Sequence, residues 1–402
     1  MYRIGCAKAD ITPPLGMPFL SGVPRHAPIS GVHDPLFARA ACIEAGGSRV
    51  VVVSADTIGF ANSLLGEGRS FTGEVKRAIE RATGIPASHV MLASNHIHSS
   101  AETLSFRPLR ATYAEAQAWL EMLQATLSRC AVAACAGSAE VELRIGRGVA
   151  PGLSYNRRGE EALDEEVTVL VFASDHGPEL VLANYACHPV IVQAQPLVSA
   201  DYVGAMVNAV EESVPSLRAC QFLLGACGDI DPSVGATRRF ADVEPMGRAL
   251  AEHVLRLILS AGRGDEPAVV RAASAEIEFP SRPLPTPQEA AGTVDEEELV
   301  RIAEGDGPFR EDVQVIRIGD AVLAGVPGEA FSAVGYRIKA LCAPRVGIPV
   351  TCANGYLGYF APPEAWKRGG YEVGLGPWSK VGPEAPAILV TAVKGLLEKV
   401  AY

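Results

Sequence analysis

The chain has 402 residues, 48% hydrophobic and only 6% aromatic, enough apolar material for a large core and a length that suggests two or three domains. Charged residues are 20% of the total, 35 basic against 46 acidic, for a net charge of −11. That balance excludes a wholly disordered chain and a basic nucleic-acid surface, and it opposes adhesion to anionic lipid.

Alternation and β-branched runs predict strands near Arg3–Ile11, Phe37–Glu44, Arg49–Ala55, His89–Ala93, Ala139–Gly148, Glu166–Ala173, Glu179–Ala186, Cys220–Leu224, Val269–Phe279, Val313–Ile318 and Val322–Val326. Helical periodicity appears in Phe71–Thr83, Ala114–Ala136, Tyr202–Ser213, Val243–Leu259, Glu329–Leu341 and Ala387–Val400. Strands and helices interleave throughout, so the fold class is α/β, with a mixed β-sheet core flanked by helices. Gly262–Ala268, rich in glycine and charge, and the Pro-rich Ser281–Gln288 read as linkers, and a sub-lobe or insertion is expected around residues 262–310. The acidic run Asp295–Leu299 reads as a solvated helix face.

The nine cysteines follow no disulfide spacing and include no CxxC pair, so they read as buried reduced thiols of a reducing compartment. The N-terminus runs straight into a strand-like segment without a charged-then-apolar leader, and no apolar run approaches the ~18 residues of a membrane span. A cytoplasmic protein without stable membrane binding is expected.

Eight histidines are few enough to weigh singly. His96 and His98 form His-Ile-His just after the apolar run Val90–Ala93, and in extended chain residues i and i+2 share a face. The pair suits a metal or catalysis; a hydrogen-bonded loop is the other reading. His188, in Asn184-Tyr-Ala-Cys-His-Pro189, follows a second apolar strand. Gly225-Ala-Cys-Gly-Asp-Ile-Asp-Pro232 follows a third, offering Asp229 and Asp231 either to a ligand or to an Asx-type turn. Glu329, in Val326-Pro-Gly-Glu-Ala-Phe331, follows a fourth and is expected at or near the first turn of the next helix. His26 and His33, in or beside the turn-rich Pro28–Pro35, suggest a lid or second polar cluster, and His89, His176 and His253 are weaker candidates. Two imidazoles and carboxylates at strand ends suit a catalytic zinc, which leaves one position for water and lowers that water's pKa.

These motifs resemble the neutral (non-lysosomal) ceramidase family. The resemblance runs through Gly5-Cys-Ala-Lys-Ala-Asp-Ile-Thr-Pro-Pro14, Gly31-Val-His-Asp-Pro-Leu-Phe-Ala-Arg-Ala40, Ser94-Asn-His-Ile-His-Ser99, Asn184–Pro189, Ser199-Ala-Asp201, Gly228–Pro232, Pro327–Ser332, Ala353-Asn-Gly-Tyr-Leu-Gly-Tyr359 and Gly370-Tyr-Glu372, in family order. It implies a ceramidase-like zinc hydrolase catalytic domain with one zinc per chain, held by His96, His188, Glu329 and Tyr371. It also implies that His98 and an Arg after Asn, Arg157 or its neighbour Arg158, contact the reacting carbonyl. Two departures stand out. Asp231 occupies the place of the ceramidase serine implicated in amide cleavage, and no C-terminal immunoglobulin-like domain follows in these 402 residues, which read as a single catalytic domain.

The resulting expectation is a zinc-dependent hydrolase acting on an amide, or failing that an ester, lactone or glycosidic bond, of a small polar molecule. Catalysis would rest on Asp231 as general base, with His98 and Arg157 at the developing oxyanion and Tyr371 beside them. Ceramidase or N-acyl-lipid amidase activity, and a catalytically degenerate metal-containing binding protein, are the alternatives. Oligomeric state is not legible.

Overall fold

Val50, Val51, Val52 and Val53 are all fully buried, although neighbouring side chains of a strand point to opposite faces. Such a strand must be covered on both sides, and the architecture follows from that requirement. The computed structural model describes residues 1–17, 28–66, 68–104, 115–193, 195–283 and 307–401.

The first half of the chain forms β1 (Tyr2–Asp10), β2 (Gly31–Val32), β3 (Phe37–Ala45), β4 (Ser48–Ala55), α1 (Phe71–Thr83), β5 (Val90–Ser94), α2 (Ala116–Ala136), β6 (Ala139–Val149), β7 (Ser154–Asn156), β8 (Glu166–Ser174) and β9 (Gly177–Tyr185). There follow β10 (Leu197–Val198), α3 (Asp201–Ser213), β11 (Ala219–Leu224), β12 (Ile230–Pro232), α4 (Val243–Ser260), β13 (Gly262–Arg263) and β14 (Val270–Phe279). The last part holds β15 (Phe309–Ile318), β16 (Ala321–Gly325), β17 (Glu329–Ala330), α5 (Ser332–Cys342), β18 (Val346–Val350), β19 (Tyr359–Phe360), α6 (Pro363–Arg368) and α7 (Ala385–Lys399).

The large sheet runs β11-β9-β8-β6-β1-β3-β4-β5, with β13 added beside β6, and a second sheet runs β14-β15-β16-β18. Pairing is antiparallel except at β11–β9, β4–β5 and β16–β18. Alternation explains the layers. Val50 and Val52 of β4, Ile43 of β3 and Phe172 of β8 share a core with Ile316, Leu323 and Ile348 of the second sheet, so the two sheets pack face to face. The opposite face of the large sheet, carrying Val51, Val53 and Cys42, packs on α1 and α2, and Val169, Val181 and Phe222 pack on α3 and α4. Val313, Val315 and Ala324 of the second sheet pack on α5 and α7. The result is four layers, helix–sheet–sheet–helix.

Helix α1 shows how local sequence sets an element. Phe71, Val75 and Ile79 recur every four residues and are buried, Ser70 Oγ accepts from Gly73 N at 3.1 Å, and Gly84 ends the helix in the left-handed region at φ 70°.

Two expectations need correction. Glu329 lies in β17, three residues before α5 begins, because its N–H donates to Gly358 O (2.9 Å) in a strand ladder with β19. Gly262–Ala268 is more than a linker, since Gly262 and Arg263 pair with β6. The acidic run Asp295–Leu299 and His26 lie outside the described residues. All nine cysteines are free, seven of them buried. Among the described residues no helix is long and apolar enough to cross a membrane.

Candidate metal centre and active site

The large sheet curls so that edge strand β11 comes against β4 and β5 from the opposite edge, and Ser54 Oγ donates to Phe222 O at 2.6 Å across the seam. The loops leaving β5, β9, β11 and β16 therefore meet. His96 and His98 follow β5, His188 follows β9, Asp229 and Asp231 follow β11, and Glu329 follows β16. Gly228 makes the meeting possible. A Cβ there would stand 2.9 Å from both the Glu329 and Ala330 carbonyls, and Gly228 N donates to Ala330 O at 2.8 Å.

His96, His98 and His188 come together with their ligating atoms within 4.8 Å of one another. His96 has φ 60°, a left-handed conformation unusual for a side-chain-bearing residue, and it aims the ring inward. His96 Nδ1–H donates to Ile58 O (2.6 Å) and His188 Nδ1–H to Ile230 O (3.1 Å). Each carbonyl can only accept, so each Nδ1 carries a proton, and the neutral form of either ring presents its Nε2 lone pair inward. The Glu329 Oε2 atom lies 2.7 Å from His188 Nε2 and 3.4 Å from His96 Nε2, while His98 Nε2 faces His96 Nε2 at 3.1 Å. In that neutral form two lone pairs and a carboxylate oxygen converge, a set of donors able to hold a cation. Backbone carbonyls holding the outer ring nitrogens are the usual support of metal-ligating histidines. The donor set therefore fits a zinc-like ion.

His96, His188 and Glu329 are each at most 1% exposed. Burial, reinforced by His96 and His188, pushes His98 well below the usual histidine range, so that ring is neutral.

Asp231 stands on the other side of His188, its Oδ1 3.8 Å from His188 Nδ1 and 3.1 Å from Arg157 Nη1. Arg157 also donates through Nε to Glu372 Oε1 (2.8 Å) and through Nη2 to Gly228 O (2.8 Å) and Tyr359 Oη (3.1 Å). Burial works against its charge, but Tyr359, Asp231 and Glu372 outweigh that and hold the guanidinium pKa well above its ordinary value. Arg158, the neighbouring candidate, turns to Glu160, Glu372 and the Gly369 carbonyl. Asp229 serves the framework: it accepts from Ser332 N (2.8 Å), Ser332 Oγ (2.7 Å) and Asn156 Nδ2 (2.9 Å), tying α5 to β7.

Tyr371 opens a short helical turn at the rim. It is 57% exposed, its ring stacks on Trp378 at 4.8 Å, and it lies 6.1 Å from the Tyr359 ring. Beside it is a 490 Å³ cavity lined by Arg157, Arg158, Arg368, Gly369, Gly370, Tyr371 and Glu372. His33 belongs to a separate pocket, stacked on Phe240.

No protein-family model and no curated protein sequence matches the chain. Solved structures do. A neutral ceramidase from Pseudomonas aeruginosa superposes with a TM-score of 0.79 at 20% identity, over 99% of this chain and 75% of that one. A ceramidase complexed with C2 gives a TM-score of 0.76 at 19% identity, over 100% and 75%. The chain has the neutral ceramidase fold. The ceramidase-like motifs of the sequence thus sit on a ceramidase-like scaffold, and the His-x-His, His-Pro, Gly-Asp-Ile-Asp and Pro-Gly-Glu segments come to one place. Sequence reasoning gave no role to Tyr356, Tyr359 or Glu372, although all three lie inside matching motifs and each contacts a candidate site residue.

Proposed function

We propose that this protein is a zinc-dependent hydrolase that cleaves an amide bond in a small polar substrate. The observation that carries the reading is the convergence of the His96 and His188 Nε2 lone pairs on Glu329 Oε2. These three residues hold the metal, with Tyr371 as the fourth donor implied by the ceramidase resemblance. When bound, zinc acidifies water and polarises a carbonyl oxygen. Asp231 accepts the proton of the attacking water: Arg157 engages one of its carboxylate oxygens and orients the other. Arg157 and neutral His98 stand against the oxyanion that develops as water adds. The polar preference rests on the cavity beside the site, whose walls are three arginines, a glutamate and two glycines around one tyrosine, a poor surface for an acyl chain. The nine free thiols support a reducing, cytoplasmic setting.

The ceramidase or N-acyl-lipid amidase reading remains the second, favoured by the fold. The test is turnover of a panel of N-acyl amides by zinc-loaded protein. Faster cleavage of short, hydrophilic members supports the polar-substrate reading, and preference for long-chain ceramides replaces it with the second. No turnover of any amide, ester, lactone or glycoside, with metal bound, would leave a binding protein.

A further inference from the structure

The segment 352–357 is stitched to two of the chain segments that deliver candidate ligands. Cys352 N donates to Gly328 O (3.0 Å), Ala353 N to Val326 O (2.9 Å), Asn354 N to Leu92 O (2.8 Å) and Leu357 N to Pro327 O (2.8 Å). The Asn354 side chain adds a bond from Leu92 N to its Oδ1 (3.1 Å) and gives one to Gln314 Oε1 (2.9 Å). This segment binds the end of β5, which leads to His96, and the turn that leads to Glu329. At its centre is Tyr356, 2% exposed, with its ring parallel to that of His96 at 6.1 Å and its hydroxyl donating a short hydrogen bond to Glu329 Oε1. The two oxygens of Glu329 therefore have different partners: Oε1 has the phenol, and Oε2 faces the two imidazoles.

We propose that Tyr356 is a positioning residue of the metal centre, which occupies Glu329 Oε1 so that only Oε2 is presented to the metal. The inference rests on the metal reading above. A buried carboxylate with one oxygen unoccupied would rotate towards any donor or chelate the metal through both atoms. The phenol removes both freedoms. It also supplies the hydrogen bond that Oε1, on a side chain 1% exposed, needs. Tyr356 acts through Glu329 and not on substrate.

The experiment is a chelator competition measuring zinc affinity for the wild type, Tyr356→Phe, Glu329→Gln and the double variant. Phe keeps the ring and removes only the hydroxyl. We expect Tyr356→Phe to weaken zinc binding 10- to 100-fold, the usual effect of losing a supporting contact to a ligand. In the Glu329→Gln background the same change should alter affinity less than twofold, because the two act as one unit. Unchanged affinity in Tyr356→Phe, or losses that add in the double variant, would overturn the proposal. Absence of zinc binding by the wild type would overturn the metal reading itself. X-ray absorption on zinc-loaded wild type gives a check that needs no variant to fold: one carboxylate oxygen at bonding distance is expected, and a chelating Glu329 would contradict it.

Discussion

Arg157 and Asp231 form an ion pair of 3.1 Å at the edge of the histidine cluster, in the place where the ceramidase pattern has a serine. The same guanidinium reaches Glu372, Tyr359 and the Gly228 carbonyl, so Asp231 is held by a group that is itself held on three other sides. A carboxylate fixed in this way beside His188 can act on a water molecule or support the imidazole, and substitutions distinguish these roles.

The first prediction concerns the metal. Purified protein should carry about one zinc per chain, as expected for a site of two histidines and one carboxylate. His188→Ala and Glu329→Gln should each lower the zinc content measured by elemental analysis. Tyr371→Phe should weaken affinity too, if the rim tyrosine supplies the fourth donor. Equal zinc content in His188→Ala and wild type would refute the site.

Glu372 bridges Arg157 and Arg158 and is 3% exposed. A glutamine there has one acceptor oxygen, so one guanidinium loses one of its acceptors and meets an amide NH2 in its place. Glu372→Gln should cost about 2 kcal/mol of stability, the scale of a hydrogen bond to a charged group. It should lower kcat/KM roughly tenfold through a misplaced Arg157, a loss of about 1.4 kcal/mol of transition-state binding. Zinc content should not change. A normal kcat/KM would remove Arg157 from the reaction.

Most long elements were legible because their patterns are strong: α1 spans Phe71–Thr83 as its periodicity predicts, and β4 differs by one residue from the predicted Arg49–Ala55. The layering was not legible. Val50–Val53 is apolar throughout, and a fully buried strand does not declare which of its faces meets helices and which meets a second sheet. Strand β18, Val346–Val350, was missed because it is short and contains Pro349, which ordinarily demotes a strand. The candidate site was legible as a set of strand-end motifs, but the partners that orient it were not. Tyr356 touches Glu329 from 27 positions away, and Glu372 touches Arg157 from 215, separations that no local pattern encodes.

Glu311 gives a prediction on pH. It is 7% exposed, accepts from Asn62 Nδ2 at 2.5 Å, and burial pushes its carboxyl up to about 8. In the unfolded chain the group ionises near ~4.3. Between those values the folded state keeps a proton that the unfolded state has lost, so stability falls as pH rises through the window. The ceiling on the slope is about 1.4 kcal/mol per pH unit. Glu311→Gln should flatten the dependence and melt above the wild type at pH 8. Parallel melting curves of the two proteins from pH 5 to 8.5 would contradict this.

The net charge of −11 predicts no detectable co-sedimentation with anionic liposomes at physiological salt. Sedimentation of most of the protein with such vesicles would contradict this and favour a lipid substrate.

Asp231→Asn is the decisive substitution for the chemistry. Asparagine keeps the shape and can still accept from Arg157 through its amide oxygen, but it cannot take a proton at neutral pH. A positioned general base contributes about 100- to 10,000-fold, so the rate on the best amide substrate should fall by that order while zinc content stays at the wild-type value. Asp231→Ser restores the residue of the ceramidase pattern, and it should gain little ceramide hydrolysis because the arginine-lined cavity is unchanged. Loss of zinc from Asp231→Asn would make the carboxylate a ligand or the support of His188, whose Nδ1 is 3.8 Å away. Full activity in Asp231→Asn would transfer the role of base to His98, whose ring is neutral and faces His96 at 3.1 Å.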